Sequence, residues 1–257
     1  MKKLLLSLPS SGEFCYTGRI VHDALVQEVK WKHFILGGMD MLRDQCPRFS
    51  ILGDSISTFY GYTPADGVFY HPAFSRTTGV SSLADTWWMK VIEGCGGELL
   101  VNHSYAGSTV CRDGYQAASS PWRIAKLRRD QMDPDYILIY SGLNDVAFYR
   151  TPAEFQSNYT SMLYEMKSVY PHAQVWCGTL CRGMLENPAI APFIQFNHCT
   201  PLSEYNESIC SAVLETDCYL ADLASFEQEY HSIDGVHPNA SGMEQIAHMW
   251  LRCLLTE

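Results

Sequence analysis

From residue 48 onward the chain alternates short apolar runs with longer amphipathic stretches. Phe49-Ser-Ile-Leu is the first run and stops at Gly53. Leu99-Leu-Val-Asn, Tyr136-Ile-Leu-Ile-Tyr, Val175-Trp-Cys and Cys218-Tyr-Leu-Ala follow it. Each has the length of a strand, and the third is apolar throughout, as a strand covered on both faces should be. The stretches between them read as helices. One is capped by Asp85-Thr86 and runs through Ile92 to Gly94. One opens at Ser120-Pro121, with proline at its first position, and runs through Arg129. Three more cover about 152–169, 201–215 and 240–254. Strictly alternating strands and helices predict an α/β fold: a five-stranded parallel sheet, helices on both faces and right-handed crossovers. Residues 57–82 and 181–200 read as long loops.

Residues 1–47 stand apart from this rhythm. Asp23 to Leu36 can form a helix stopped by Gly37-Gly38, and a β-hairpin accounts for the same stretch. We expect 1–47 to be an N-terminal extension packed on a main domain of residues 48–257. Its first residues, Met-Lys-Lys-Leu-Leu-Leu-Ser-Leu-Pro, imitate a signal peptide. The apolar part is shorter than the ~7–15 residues such a signal needs, so we read it as uncleaved and expect a cytoplasmic protein.

Composition narrows the functional classes. The 257 residues carry 18 Lys+Arg against 28 Asp+Glu, a net charge of −10 with histidine neutral. That balance argues against a nucleic-acid partner. The densest basic stretch, Lys126, Arg128 and Arg129, reads as the polar side of one helix. No apolar run approaches the ~20 residues of a membrane span, so no membrane partner is expected. The 10 cysteines include no C-x-x-C pair, and several sit among apolar residues. Buried free thiols are the expectation, with disulfides left open and metal at a structural zinc site disfavoured.

Four polar segments fall at one edge of the expected sheet. They are Gly53-Asp54-Ser55, the stretch Asn102 to Gly107, Gly142-Leu143-Asn144-Asp145, and Asp234-Gly235-Val236-His237-Pro238. In open parallel sheets ligands bind beyond the carboxyl ends of the strands. The residue types suit acyl transfer. A serine hydroxyl needs a base within hydrogen-bond reach, which His237 can supply to Ser55. Asp234 can orient that histidine and stabilise its imidazolium. The oxyanion of a tetrahedral intermediate needs fixed donors, which the Ser55 N–H, the Gly107 N–H and the Asn144 amide can provide. Singly, each segment is also an ordinary turn, and Asp145 can simply cap the next helix. Asp54, Tyr60, Tyr105 and Val236 are candidate substrate-binding residues because they lie in or just after these segments. The aromatic loop Phe59 to Phe74 reads equally well as a sugar-stacking or acyl-lining surface and as a satellite hydrophobic cluster. The 181–200 loop is too apolar for free solvation; it suits a site cover or a homo-oligomer contact.

Taken together, the four segments resemble the SGNH hydrolases, the GDSL esterase/lipase superfamily. Gly53-Asp54-Ser55-Ile56 matches the first block, with Ile where the name-giving Leu would stand. Gly107 matches the second, Gly142, Asn144 and Asp145 the third, and Asp234 with His237 the last. The resemblance spans about 48–254 and is similar to bacterial GDSL-like acylhydrolases. It implies a three-layer α/β/α sandwich with a flavodoxin-like sheet, a Ser55-His237-Asp234 triad, an oxyanion hole of Ser55, Gly107 and Asn144, and neither metal nor cofactor. The nucleophile elbow G-x-S-x-G and the nucleotide-binding glycine motifs are absent. The expectation is a serine esterase acting on small O-acyl esters, acetyl and other short-chain esters first, those of carbohydrates among them. The alternatives are a lysophospholipase or thioesterase and, remotely, a catalytically silent binding module.

Overall fold

A computed structural model describes residues 46–187 and 189–255. The helix or hairpin expected within 23–38 lies outside the described residues. Seven strands form: β1 (Arg48–Gly53), β2 (Glu98–Asn102), β3 (Tyr136–Tyr140), β4 (Gln174–Gly178), β5 (Gly183–Leu185), β6 (Tyr219–Ala221) and β7 (Tyr230–Ser232). Five of them build one sheet in the order β2-β1-β3-β4-β6. Every pairing in it is parallel, and Gly53 at the end of β1 lies opposite Tyr140 at the end of β3. Connections leave β1 and β3 in opposite directions, which opens a crevice at their carboxyl ends.

The helices are α1 (Ser75–Thr78), α2 (Trp87–Gly94), α3 (Pro121–Ile124), α4 (Leu143–Ala147), α5 (Pro152–Val169), α6 (Leu202–Thr216) and α7 (Ala240–Leu255). α5 packs on α6 in one layer and α2 on α7 in the other, completing the α/β/α sandwich. Local signals set their ends. The α5 start is a capping box: Thr151 Oγ1 accepts from the Glu154 N–H, and the Glu154 carboxylate accepts from the Thr151 N–H. Between sheet and outer helices, Trp87 stacks on Trp250 at 5.3 Å and meets Tyr140 edge-on at 5.7 Å. All three rings are buried.

Three expectations are corrected. The helix foreseen from Ser120 to Arg129 is a single turn, α3. Tyr170 Oη donates to the Ile124 carbonyl and Ser50 Oγ to that of Leu127, so side chains take carbonyls that a longer helix would have kept. Asp130 and Gln131 then turn left-handed. Arg128 and Arg129 therefore do not lie on a helix; Arg128 pairs with Asp133 at 3.0 Å and covers the Tyr170 ring. The 181–200 stretch is not wholly loop, because β5 pairs in parallel with β7 outside the main sheet. Three-residue strands carry too little alternation to be seen in sequence. The third correction is Asp85, which does not start α2. It closes a capping box with Ser82 around the preceding turn, and Thr86 caps α2.

Candidate active site

Ser55 opens a one-turn 3₁₀ helix directly after β1. The turn doubles back so tightly that a Cβ on Gly53 would stand 2.5 Å from Ser57 Oγ and 2.9 Å from the Tyr140 carbonyl. Only glycine fits there. Asp54 caps the turn, accepting from the Ile56 N–H at 3.1 Å. Thr58 staples its far side: Oγ1 donates to the Ser55 carbonyl and accepts from the Phe69 N–H, both at 2.9 Å. The loop after Phe59 is thereby tied to the serine.

His237 and Asp234 come from the turn between β7 and α7. His237 Nε2 stands 2.9 Å from Ser55 Oγ, and Nδ1 stands 2.6 Å from Asp234 Oδ2. The other Asp234 oxygen accepts from the N–H groups of Val236 and His237 at 3.0 and 2.8 Å. Burial would push the Asp234 carboxyl up, but the His237 side chain and these N–H donors outweigh it and hold it below the usual carboxylate range. Tyr230 Oη donates to the Val236 carbonyl and Tyr70 Oη to that of Pro238, so two buried phenols clamp the turn from beneath. Phe69 lies flat on the imidazole at 3.8 Å, and Phe193 meets it edge-on at 5.5 Å. With Nδ1 bound to the carboxylate, Nε2 is the nitrogen that faces the hydroxyl.

The wall opposite is built from the ends of β2 and β3. Gly107 sits at φ +77°, a left-handed conformation suited to glycine. Asn144, in α4, donates through Nδ2 to the Ser108 carbonyl at 2.8 Å. An amide has a second proton to give. Asp145 does not cap the helix, since Gly142 holds that position. Its carboxylate instead accepts from the N–H groups of Val110 and Cys111 at 2.7 and 2.9 Å, pinning the Gly107 loop to α4. Ser108 Oγ and the Tyr105 N–H both donate to the Gly53 carbonyl at 3.2 Å, so this loop is also bound to the end of β1.

The remaining predicted residues lie around this centre in different ways. Asp54 is buried, and desolvation pushes its carboxyl up to about 6, against the pull of the Ile56 N–H, His237 and Arg123. Tyr105 is buried over the Arg123 guanidinium. Val236 is buried in the Asp234 turn. Tyr60 is 53% exposed, with its ring against His71 at 4.1 Å. Three contributors escaped the sequence reading as individuals: Phe69, Phe193 and Arg123. The first two belong to loops whose apolar character pointed at the site. Arg123 carried no signal, because an arginine in a Pro-Trp-Arg-Ile turn looks like any solvated helix residue. Among the described residues no three His, Cys, Asp or Glu side chains converge as a metal site requires. No helix there is long and apolar enough to cross a membrane.

A serine, an imidazole and a carboxylate stand in hydrogen-bonded sequence at the switch point of a parallel sheet, the arrangement that serine hydrolysis requires. A family profile described as GDSL-like lipase/acylhydrolase matches residues 47–254, and the chain belongs to that family of ester-hydrolysing SGNH enzymes. Two solved structures described as GDSL-like lipases are similar to it. The one from Bacteroides ovatus is 25% identical with a TM-score of 0.59, over 80% of this chain and 96% of that one. The one from Bacteroides uniformis is 27% identical with a TM-score of 0.58, over 80% and 94%. Est24, a carbohydrate acetylesterase from Sinorhizobium meliloti, shares the fold at 14% identity and a TM-score of 0.55, over 79% and 95%. No curated protein sequence matches the chain.

Proposed function

We propose that this protein hydrolyses small O-acyl esters through a Ser55-His237-Asp234 triad and an acyl-enzyme. The observation that carries the reading is the unbroken chain from Asp234 Oδ2 through His237 to Ser55 Oγ, 2.6 and 2.9 Å long. In the first step His237 takes the Ser55 proton as Oγ attacks the ester carbonyl carbon. The carbonyl oxygen becomes an oxyanion, held by the N–H groups of Ser55 and Gly107 and the free amide proton of Asn144. The carbonyl re-forms, the alkoxide leaves with the proton from His237, and the acyl group stays on Oγ. Water then repeats the attack with His237 as base and frees the acid and the serine. Asp234, held ionised, stabilises the imidazolium in both halves.

The acyl group favoured is acetyl or another short chain, and the alcohol a hydroxyl-rich one such as a sugar. The half-exposed rings of Tyr60, Tyr62 and Phe74 support this choice, since the loop that carries them is stapled to the nucleophile turn and flat rings stack on sugars. A cytoplasmic setting suits the buried free thiols at Cys111, Cys177 and Cys181. The test is hydrolysis of p-nitrophenyl acetate, butyrate and octanoate by the parent and by Ser55→Ala. Turnover that needs Ser55 and falls from acetate to octanoate is expected. Equal turnover by Ser55→Ala overturns the triad. Preference for octanoate replaces the short-chain choice with a thioesterase-like or lysophospholipase-like one.

A further inference from the structure

Arg123 is fully buried, yet among the described residues it forms no ion pair. Its guanidinium is spent on main-chain carbonyls instead. Nη2 donates to Gly53 at 3.1 Å and to His103, and Nη1 donates to Gln116. Nε is buried without an acceptor. Tyr105 covers the guanidinium at 5.1 Å. Burial lowers the Arg123 pKa to about 10, which leaves it a cation at neutral pH. A cation taken from water without a carboxylate is costly, and an apolar side chain would fill the space at less expense.

The three acceptors explain what the charge does. Gly53 ends β1, two residues before Ser55. His103 and Gln116 stand on either side of Gly107 in sequence, and Gln116 is held in a left-handed conformation at φ 44°. One rigid planar fork therefore binds the base of the nucleophile turn to both ends of the segment that carries Gly107. Those are the two segments whose N–H groups must converge on a single oxygen. We propose that Arg123 is a positioning residue that sets the separation of the Ser55 and Gly107 oxyanion donors. The inference rests on the serine-esterase reading and adds to it a residue that touches no substrate.

The test compares Arg123→Met, Arg123→Lys, Asn144→Ala and the double variant Arg123→Met/Asn144→Ala on p-nitrophenyl acetate, beside Ser55→Ala. Circular dichroism and thermal melts verify that each is folded at the assay temperature. Arg123→Met is expected to lower kcat by about 10²-fold with KM nearly unchanged, as loss of an oxyanion donor does. Arg123→Lys keeps the charge but loses the fork, and should recover roughly a tenth of the parental kcat. The double variant should lose less than the product of the single losses, because both act on one oxyanion. A folded Arg123→Met or Arg123→Lys with parental kcat beside an inactive Ser55→Ala overturns this inference alone. Fully multiplicative losses in the double variant overturn it as well. If Arg123→Met does not fold, Arg123→Lys decides by the same criterion. Parental turnover in Ser55→Ala overturns the esterase reading and this inference with it.

Discussion

The wall and the rim of the site are built on opposite terms. The wall consists of Ser55, His237, Asn144 and the Gly107 loop, and Ser108 Oγ, Asn144 Nδ2 and both His237 ring nitrogens are held to named partners at 2.6–3.2 Å. It stands on strand ends and is supported from beneath by Tyr70, Tyr230, Asp145 and Arg123. The rim consists of rings such as Tyr60, Phe74 and Phe193, each more than half exposed. Fixed donors and acceptors suit a transition state whose charge appears at one place. Exposed rings on loops suit partners that vary. The comparison predicts that chemistry and selectivity are separately mutable here.

His237→Ala tests the wall most severely. It should lower kcat by at least about 10³-fold on p-nitrophenyl acetate while the melting profile stays near that of the parent. A loss below tenfold would mean that another base serves Ser55. Asn144→Ala should cost about 10²–10³ in kcat with little change in KM. A rise in KM alone would move Asn144 from the wall to substrate binding. Asp54→Asn separates function from stability. The folded carboxyl titrates near 6 against 3.8 in the unfolded chain. Ionising it therefore costs the fold progressively as pH rises from about 4 through 6, by up to roughly 3 kcal/mol at full burial. Asn cannot ionise and keeps an acceptor for the Ile56 N–H, so Asp54→Asn should raise the melting temperature more at pH 8 than at pH 4. Equal shifts at both pH values would show that Asp54 is not strained by its charge. Tyr60→Ala, on the rim, should change KM by a few-fold at most and leave kcat and stability within about 0.5 kcal/mol of the parent. A larger fall in kcat would erase the distinction between the regions.

The same division governs what could be read from the chain. The five main strands are visible because each is a compact apolar run. The segments bearing Ser55, Gly107, Asn144 and Asp234-His237 are visible because together they match, in order, the residue types that acyl transfer calls for. The resemblance built on those segments concerns the wall alone. What was not legible depends on contacts between distant residues. α3 stops at Ile124 because Tyr170 and Ser50 reach across the sequence to the carbonyls of Ile124 and Leu127. β5 exists only because β7, some 45 residues later, lies beside it. Asp145 reads equally well as a cap because nothing local reveals that Val110 and Cys111 face it. Arg123 belongs to the same class, with acceptors up to 70 residues away.

The spacing of the catalytic chain carries a consequence for synthesis. Asp234 and His237 are three residues apart, whereas Ser55 and His237 are separated by 182. A ribosome delivers the nucleophile first, then the Gly107 and Asn144 segments, and the acid–base pair long after. A nascent chain that has reached residue 200 holds the proposed nucleophile but not yet the Asp234–His237 pair. On the proposed triad, the Ser55 hydroxyl becomes reactive only when the Asp234–His237 turn docks against β1.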